Sequence, residues 1–186
     1  MSHSLQSSAV LTTVFSVEQA TEAARAGAQI VDAGDDESLV SAIRQARVDV
    51  LVCGAGSAAD VSRDTALAGP GGARLLCDGL SAAEQAAGAG IAKDRILVQV
   101  TPAEVGAASQ AGWQVLVEVD DDATTGTGSR LAGTGGAAAG ARAAVCAWLG
   151  ASVVSTRHVT QVRRCLDMTD SIRGSRPPAW AVRGLA

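Results

Sequence analysis

Side chains able to do chemistry in this chain cluster where short apolar runs stop. Asp32 ends QIVD, Asp78 ends ARLLCD, Gln99 falls near the end of RILVQV, and Asp120, Asp121 and Asp122 follow QVLVEV. A last run, SVVST, leads into Arg157 and His158. Carboxylates and amides in such places can bind a ligand's polar edge, and carboxylates can also hold a hard cation. Asp32, Asp78, Gln99 and Arg157 are therefore candidate ligand-binding residues. Asp120 and Asp122 are candidate ligands for an ion such as Mg²⁺, with a solvated acidic loop as the plainer alternative. Asp32 has an alternative role as a strand-end carboxylate bonded to loop amides. Arg157 and His158 could grip an anion, although neighbours on an extended backbone point to opposite sides. Neither is assigned a catalytic role, and His158 has no evident orienting partner.

Two further patterns are weaker. Gly54, Gly56 and Ala59 form G-x-G-x-x-A after an apolar run, with Asp78 about 20 residues on, the spacing of a dinucleotide fingerprint. A chain rich in Gly and Ala produces that pattern readily by chance. Cys53 and Cys77 end successive countable strands and could face each other, but buried free cysteines usually behave as small inert hydrophobes.

The elements that must position these residues repeat. Apolar, β-branched runs occur at Val10–Val14, Gln29–Asp32, Val48–Cys53, Ala73–Asp78, Arg95–Val100, Gln114–Val119 and Ser152–Thr156. Most are separated by roughly 20 residues, room for one helix and two tight loops. Runs such as VDVLVC are continuously apolar, as expected of parallel strands buried on both faces. Ser16 with Gln19, Ser81 with Glu84, and Thr101-Pro102 with Glu104 read as helix starts. Gly27, Gly88, Gly112 and Gly150 read as helix ends. The fold class is α/β. Seven countable strands in 186 residues imply a trimmed (β/α) barrel of the TIM type, with seven strands or incomplete closure. An open doubly-wound sheet is the alternative. No linker divides the chain, so residues 1–186 read as one domain.

Composition narrows the function. A net charge of −4 and 2% aromatic residues argue against nucleic-acid binding. No window approaches the roughly 18 apolar residues of a membrane span. The start MSHSLQSSAV lacks a signal peptide's basic and apolar regions. Four cysteines without a CxxC pair suit reduced thiols, so a cytoplasmic location is expected.

Two stretches resemble dihydropteroate synthases. AARAGAQIVDAGDDES is similar to the family's eGAxIIDvGGES segment, with Asp32 and Gly34 in place and Asp36 where Glu is usual. RLAGTGGAAAGARAAVCAWLGASVVSTRHVTQVRRCLDMTDSIRG is similar to the closing βα unit. The resemblance implies a TIM-type barrel and a pterin ligand. It also implies chemistry that joins an aromatic amine to a pterin methylene with loss of pyrophosphate. Several positions depart from it. Ser155 and Arg157 replace the Arg-x-His that grips the pyrophosphate, and Asp120–Asp122 replace Ser-Arg-Lys. Gln99 and Ala55 stand for two ring-contacting Asp residues, and Cys77 for the pterin-binding Asn, beside a kept Asp78. The long loop after the first strand has shrunk to Thr12, Thr13, Phe15 and Ser16. The expectation is a degenerate synthase-like barrel that binds a small pterin-like ligand or pairs with a protein. A pterin-binding transferase of folate biosynthesis with an altered site is the alternative. Pairing, as a homodimer or with a full-length relative, is expected through small residues of a helix over Leu131–Leu149.

Overall fold

The computed structural model describes residues 8–68, 72–120 and 135–175. Eight parallel strands close into a barrel in chain order: β1 (Ala9–Thr13), β2 (Ile30–Asp32), β3 (Leu51–Cys53), β4 (Val61–Ser62), β5 (Arg74–Asp78), β6 (Ile96–Val100), β7 (Gln114–Glu118) and β8 (Val153–Ser155). Closure is made by β8 on β1, with Ala9 opposite Val153 and Leu11 opposite Ser155. This corrects the seven-strand or incompletely closed barrel and the open sheet. The missing strand is β4, whose two residues lie in the polar setting ADVSRD and give no apolar run. Among the described residues neither the β3–β4 nor the β4–β5 connection contains a helix. The barrel is short for its strand number largely because of those two economies.

Alternation within each strand separates two cores. Leu11, Ile30, Cys53, Val61, Leu76, Leu97, Leu116 and Val153 point inward and fill the barrel. Val10, Val31, Val52, Leu75, Val98, Val115 and Val154 point outward against the helices. Those helices are α1 (Val17–Ala26), α2 (Glu37–Gln45), α3 (Leu80–Gly88), α4 (Val105–Gln110), α5 (Gly135–Trp148) and α6 (Val159–Arg173).

The helix boundaries follow local chemistry. The Ser16 hydroxyl accepts the Gln19 amide at 3.2 Å, and the Gln19 side chain accepts the Phe15 amide at 2.8 Å. Glu104 accepts the amide and hydroxyl of Thr101, ahead of α4. Ser81 lies inside α3, behind a Gly79 cap with no side-chain bond, so it is not the cap that spacing implied. Gly90, rather than Gly88, takes the left-handed turn after α3.

α5 and α6 pack closely because α5 is built of small residues. Ala139, Gly140, Ala143 and Ala147 are buried, and a Cβ on Gly140 would lie 2.7 Å from Cys165 Sγ. Their small-residue face is thus consumed inside the chain, which corrects its assignment as a pairing surface. Residues 131–134 of that expected helix lie outside the described residues. α6 is anchored to β1 by Arg163, which donates to the Ser8 carbonyl at 2.9 Å and pairs with Asp167 and the buried Asp170. Among the described residues no helix is long and apolar enough to cross a membrane.

Candidate functional site

On six of the eight strands, the inward ladder ends in a polar group two residues beyond the last apolar layer. Leu11 is followed by Thr13, Ile30 by Asp32, Leu76 by Asp78, Leu97 by Gln99, Leu116 by Glu118 and Val153 by Ser155. Because side chains alternate along a strand, these six ring the carboxyl-terminal mouth, where barrel proteins place their ligands. Register fixes their neighbours: Asp78 sits opposite Gln99, and Glu118 opposite Ser155.

A cleft of about 550 Å³ opens on the β5–β7 side of this ring, lined by Asp78, Gln99, Thr101, Glu104, Glu118, Asp120 and Arg142. The side chains of Asp78, Gln99 and Glu118 hydrogen-bond to no other described residue, and their polar atoms face the cleft. Hydrogen bonds from Thr101 hold the Glu104 carboxyl below its usual range, so it stays ionised at neutral pH. Arg142, from α5, supplies positive charge beside these four carboxylates.

The other candidates are differently placed. Asp32 lies in the ring, but its Oδ1 accepts the Gly34 amide at 2.9 Å and its Oδ2 is 3.8 Å from Arg63. Asp120 accepts the Thr156 hydroxyl at 2.6 Å and the Arg157 amide at 2.8 Å, with the Arg157 guanidinium 3.6 Å away. It therefore ties the end of β7 to the turn after β8. Arg157 borders a second cavity and does not line the cleft. Asp121 and Asp122 lie outside the described residues. Among the described residues no group of three or more His, Cys, Asp or Glu is placed to hold a metal.

Strand parity overturns two sequence readings. Cys53 is inside the barrel whereas Cys77 belongs to the outer core, and β4 runs between their strands, so they are not a facing pair. Burial, reinforced by the negative charge of Asp32, pushes the Cys53 thiol up to about 12. Burial also raises Cys77. The inward position at the end of β5 is Asp78, so Cys77 does not occupy a ligand-facing position. The glycine pattern fails for another reason. After Gly54 and Gly56 the chain enters β4 with no helix between, so there is no helix terminus to receive a phosphate.

Glu118 escaped the sequence reading, which took the triplet at 120–122 as the strand end. Counting two residues on from Leu116 in QVLVE would have found it. Arg142 could have been noticed as the one charged residue in GGAAAGARAAVCAW.

No family model matches the chain. The architecture is that of dihydropteroate synthases. The Xanthomonas albilineans enzyme in complex with 7,8-dihydropteroate superposes with a TM-score of 0.74 at 15% identity, covering 91% of this chain and 95% of that one. The Yersinia pestis enzyme with a pterine-sulfa conjugate gives 0.73 at 16% identity, covering 92% and 95%. In sequence, the chain is 35% identical over 125 residues to the inactive dihydropteroate synthase 2 of Mycobacterium leprae, a match spanning 57% of this chain and 41% of that protein. It therefore spans less than half the length of that curated relative. In fold the chain matches dihydropteroate synthases, and over part of its length its sequence is similar to proteins named inactive dihydropteroate synthase 2.

Proposed function

We propose that this chain is a catalytically degenerate dihydropteroate synthase-like barrel, acting as a ligand-binding or protein-pairing homologue without synthase activity. The charge of the mouth carries this reading. A synthase must stabilise a departing diphosphate, and here Asp78, Glu104, Glu118 and Asp120 line the cleft. Two like charges 4 Å apart repel by about 4 kcal/mol at an effective dielectric near 20, so each carboxylate brought near a diphosphate is a substantial penalty. Ser155, where the family's motif has Arg, offers no charge in return. The relatives named inactive dihydropteroate synthase 2 support the same conclusion.

The ligand of this reading is a small pterin-like molecule without a diphosphate. Asp78 and Gln99 hold its polar edge, and Asp32 and Arg157 shape the loops around it. Its protein partner is a second copy or a full-length relative, and its place is the cytoplasm, in keeping with the free thiols of Cys53, Cys77, Cys146 and Cys165. Calorimetric titration with a pterin pyrophosphate, with and without Mg²⁺, tests the proposal. Weak or no binding in both conditions is expected. Micromolar binding that requires Mg²⁺ would restore the transferase reading and the metal role of Asp120 and Asp122.

A further inference from the structure

The barrel wall is weakest at β4. A single residue pair, Cys53 opposite Val61, joins β4 to β3, and two pairs join it to β5. Every other junction has three or four. Neither connection to β4 contains a helix among the described residues. In residues 54–68, which include β4, the buried apolar side chains are Ala59, Val61 and Ala68. One valine and two alanines are a small hydrophobic hold, because the gain scales with the apolar area removed from water.

Several hydrogen bonds of this segment are internal to it. The Asp64 amide donates to the Ser62 hydroxyl at 3.1 Å, the Ala66 amide to Asp64 Oδ1 at 2.8 Å, and the Ala59 amide to the Gly56 carbonyl at 3.3 Å. These bonds survive if the segment moves as a body. Those that would break converge on Asp60. Its Oδ2 accepts the Val52 amide at 2.7 Å and the Arg44 guanidinium. Its own amide donates to the Val52 carbonyl at 2.8 Å, and its carbonyl accepts the Arg74 amide at 2.7 Å. One residue thus clasps the segment to β3, α2 and β5. Arg63 adds a looser tie, 3.8 Å from Asp32 of the mouth ring. Cys53 lies beneath, fully buried inside the barrel.

Regions with little apolar burial open locally at a lower free energy than global unfolding requires. We infer that residues 54–68 form a gate in the barrel wall, latched by Asp60, that swings off β3 and β5 while the rest of the barrel stays folded. Opening bares the interior at Cys53 and withdraws Arg63 from Asp32, so the mouth widens on its β2–β4 side. A ligand touching both Arg63 and Asp32 would hold the gate shut. The gate does not depend on what the carboxylate cleft binds.

The chain carries its own reporters. Cys53 lies under the gate, whereas Cys146 is buried in α5, on the β7–β8 side of the barrel. Prolonged exposure of the folded chain to N-ethylmaleimide, at several urea concentrations below the unfolding transition, compares them by mass spectrometry of peptides. Cys53 should react long after half-buried Cys165 but before Cys146. Its rate should depend less on urea, because opening the gate exposes less surface than global unfolding. Asp60→Asn should speed Cys53 labelling about tenfold or more, as for the loss of a charge-assisted bond. Gly140→Leu strains the α5–α6 contact instead. It should lower global stability in urea yet change Cys53 labelling less than about twofold. If Cys53 and Cys146 react together with equal urea dependence, or if Gly140→Leu speeds Cys53 in proportion to its loss of global stability, the barrel opens only by unfolding and the gate is overturned. An unchanged Cys53 rate in folded Asp60→Asn would overturn the latch. Should that variant fail to fold, the wild-type urea series decides.

Discussion

A carboxylate or amide two residues beyond an inward leucine, repeated on β5, β6 and β7, decides what this barrel can hold. Asp78, Gln99 and Glu118 supply acceptors, and only Gln99 also donates. Asp120 looks like a fourth member but works as a clasp. Asp120→Asn keeps its size and removes the charge that holds Thr156 and Arg157. Hydrogen bonds to charged groups contribute about 1.5–3 kcal/mol, and a loss within that range is expected in urea unfolding. Cys53 gives a second prediction at this scale. With its thiol at about 12, it remains protonated throughout the neutral range. Maleimide at mildly alkaline pH should label half-buried Cys165 in the folded protein and spare Cys53, as mass spectrometry of peptides would show.

The fit of elements depends on small residues and caps. Gly140 lets α5 approach Cys165 on α6, so Gly140→Leu should cost about 1–3 kcal/mol by overpacking, and adding Cys165→Ala should recover part of that loss. At the start of α2, the Ser38 hydroxyl and the Leu39 amide hold the Asp36 carboxyl below its usual value. A depressed carboxylate stabilises the fold above the unfolded value of about 4. That contribution disappears as pH falls through the lowered folded value. Wild type and Asp36→Ala should therefore differ in thermal stability at neutral pH and converge in strong acid. These elements also show how far the sequence could be read. Continuous apolar runs revealed seven strands because burial on both faces leaves a mark at least three residues long. β4 left none: Val61 alone fills its inward place, and the next strand completes the ladder through Val61 opposite Arg74. Asp78 and Gln99 were legible as strand-end polar groups. Glu118 was hidden by the louder acidic triplet behind it. Asp120's clasp depends on Thr156, 36 residues away, and no local pattern records it.

In the molecule as a whole, scaffold and chemistry are separate. The barrel closes, its inner and outer cores are filled, and the departures from a synthase concentrate at the mouth. Pairing with a second copy must use a surface other than the buried small face of α5. Val145, Trp148, Met168 and Ile172 are exposed on the outer sides of α5 and α6. If these helices mediate pairing, light scattering should find a dimer, and Trp148→Glu with Met168→Glu should reduce it to a monomer without unfolding it. The most direct test of the central claim is a turnover assay of purified chain with a pterin pyrophosphate, 4-aminobenzoate and Mg²⁺, followed by product formation. The account predicts no dihydropteroate above the uncatalysed background. Sustained product formation, abolished by Asp78→Asn, would contradict it.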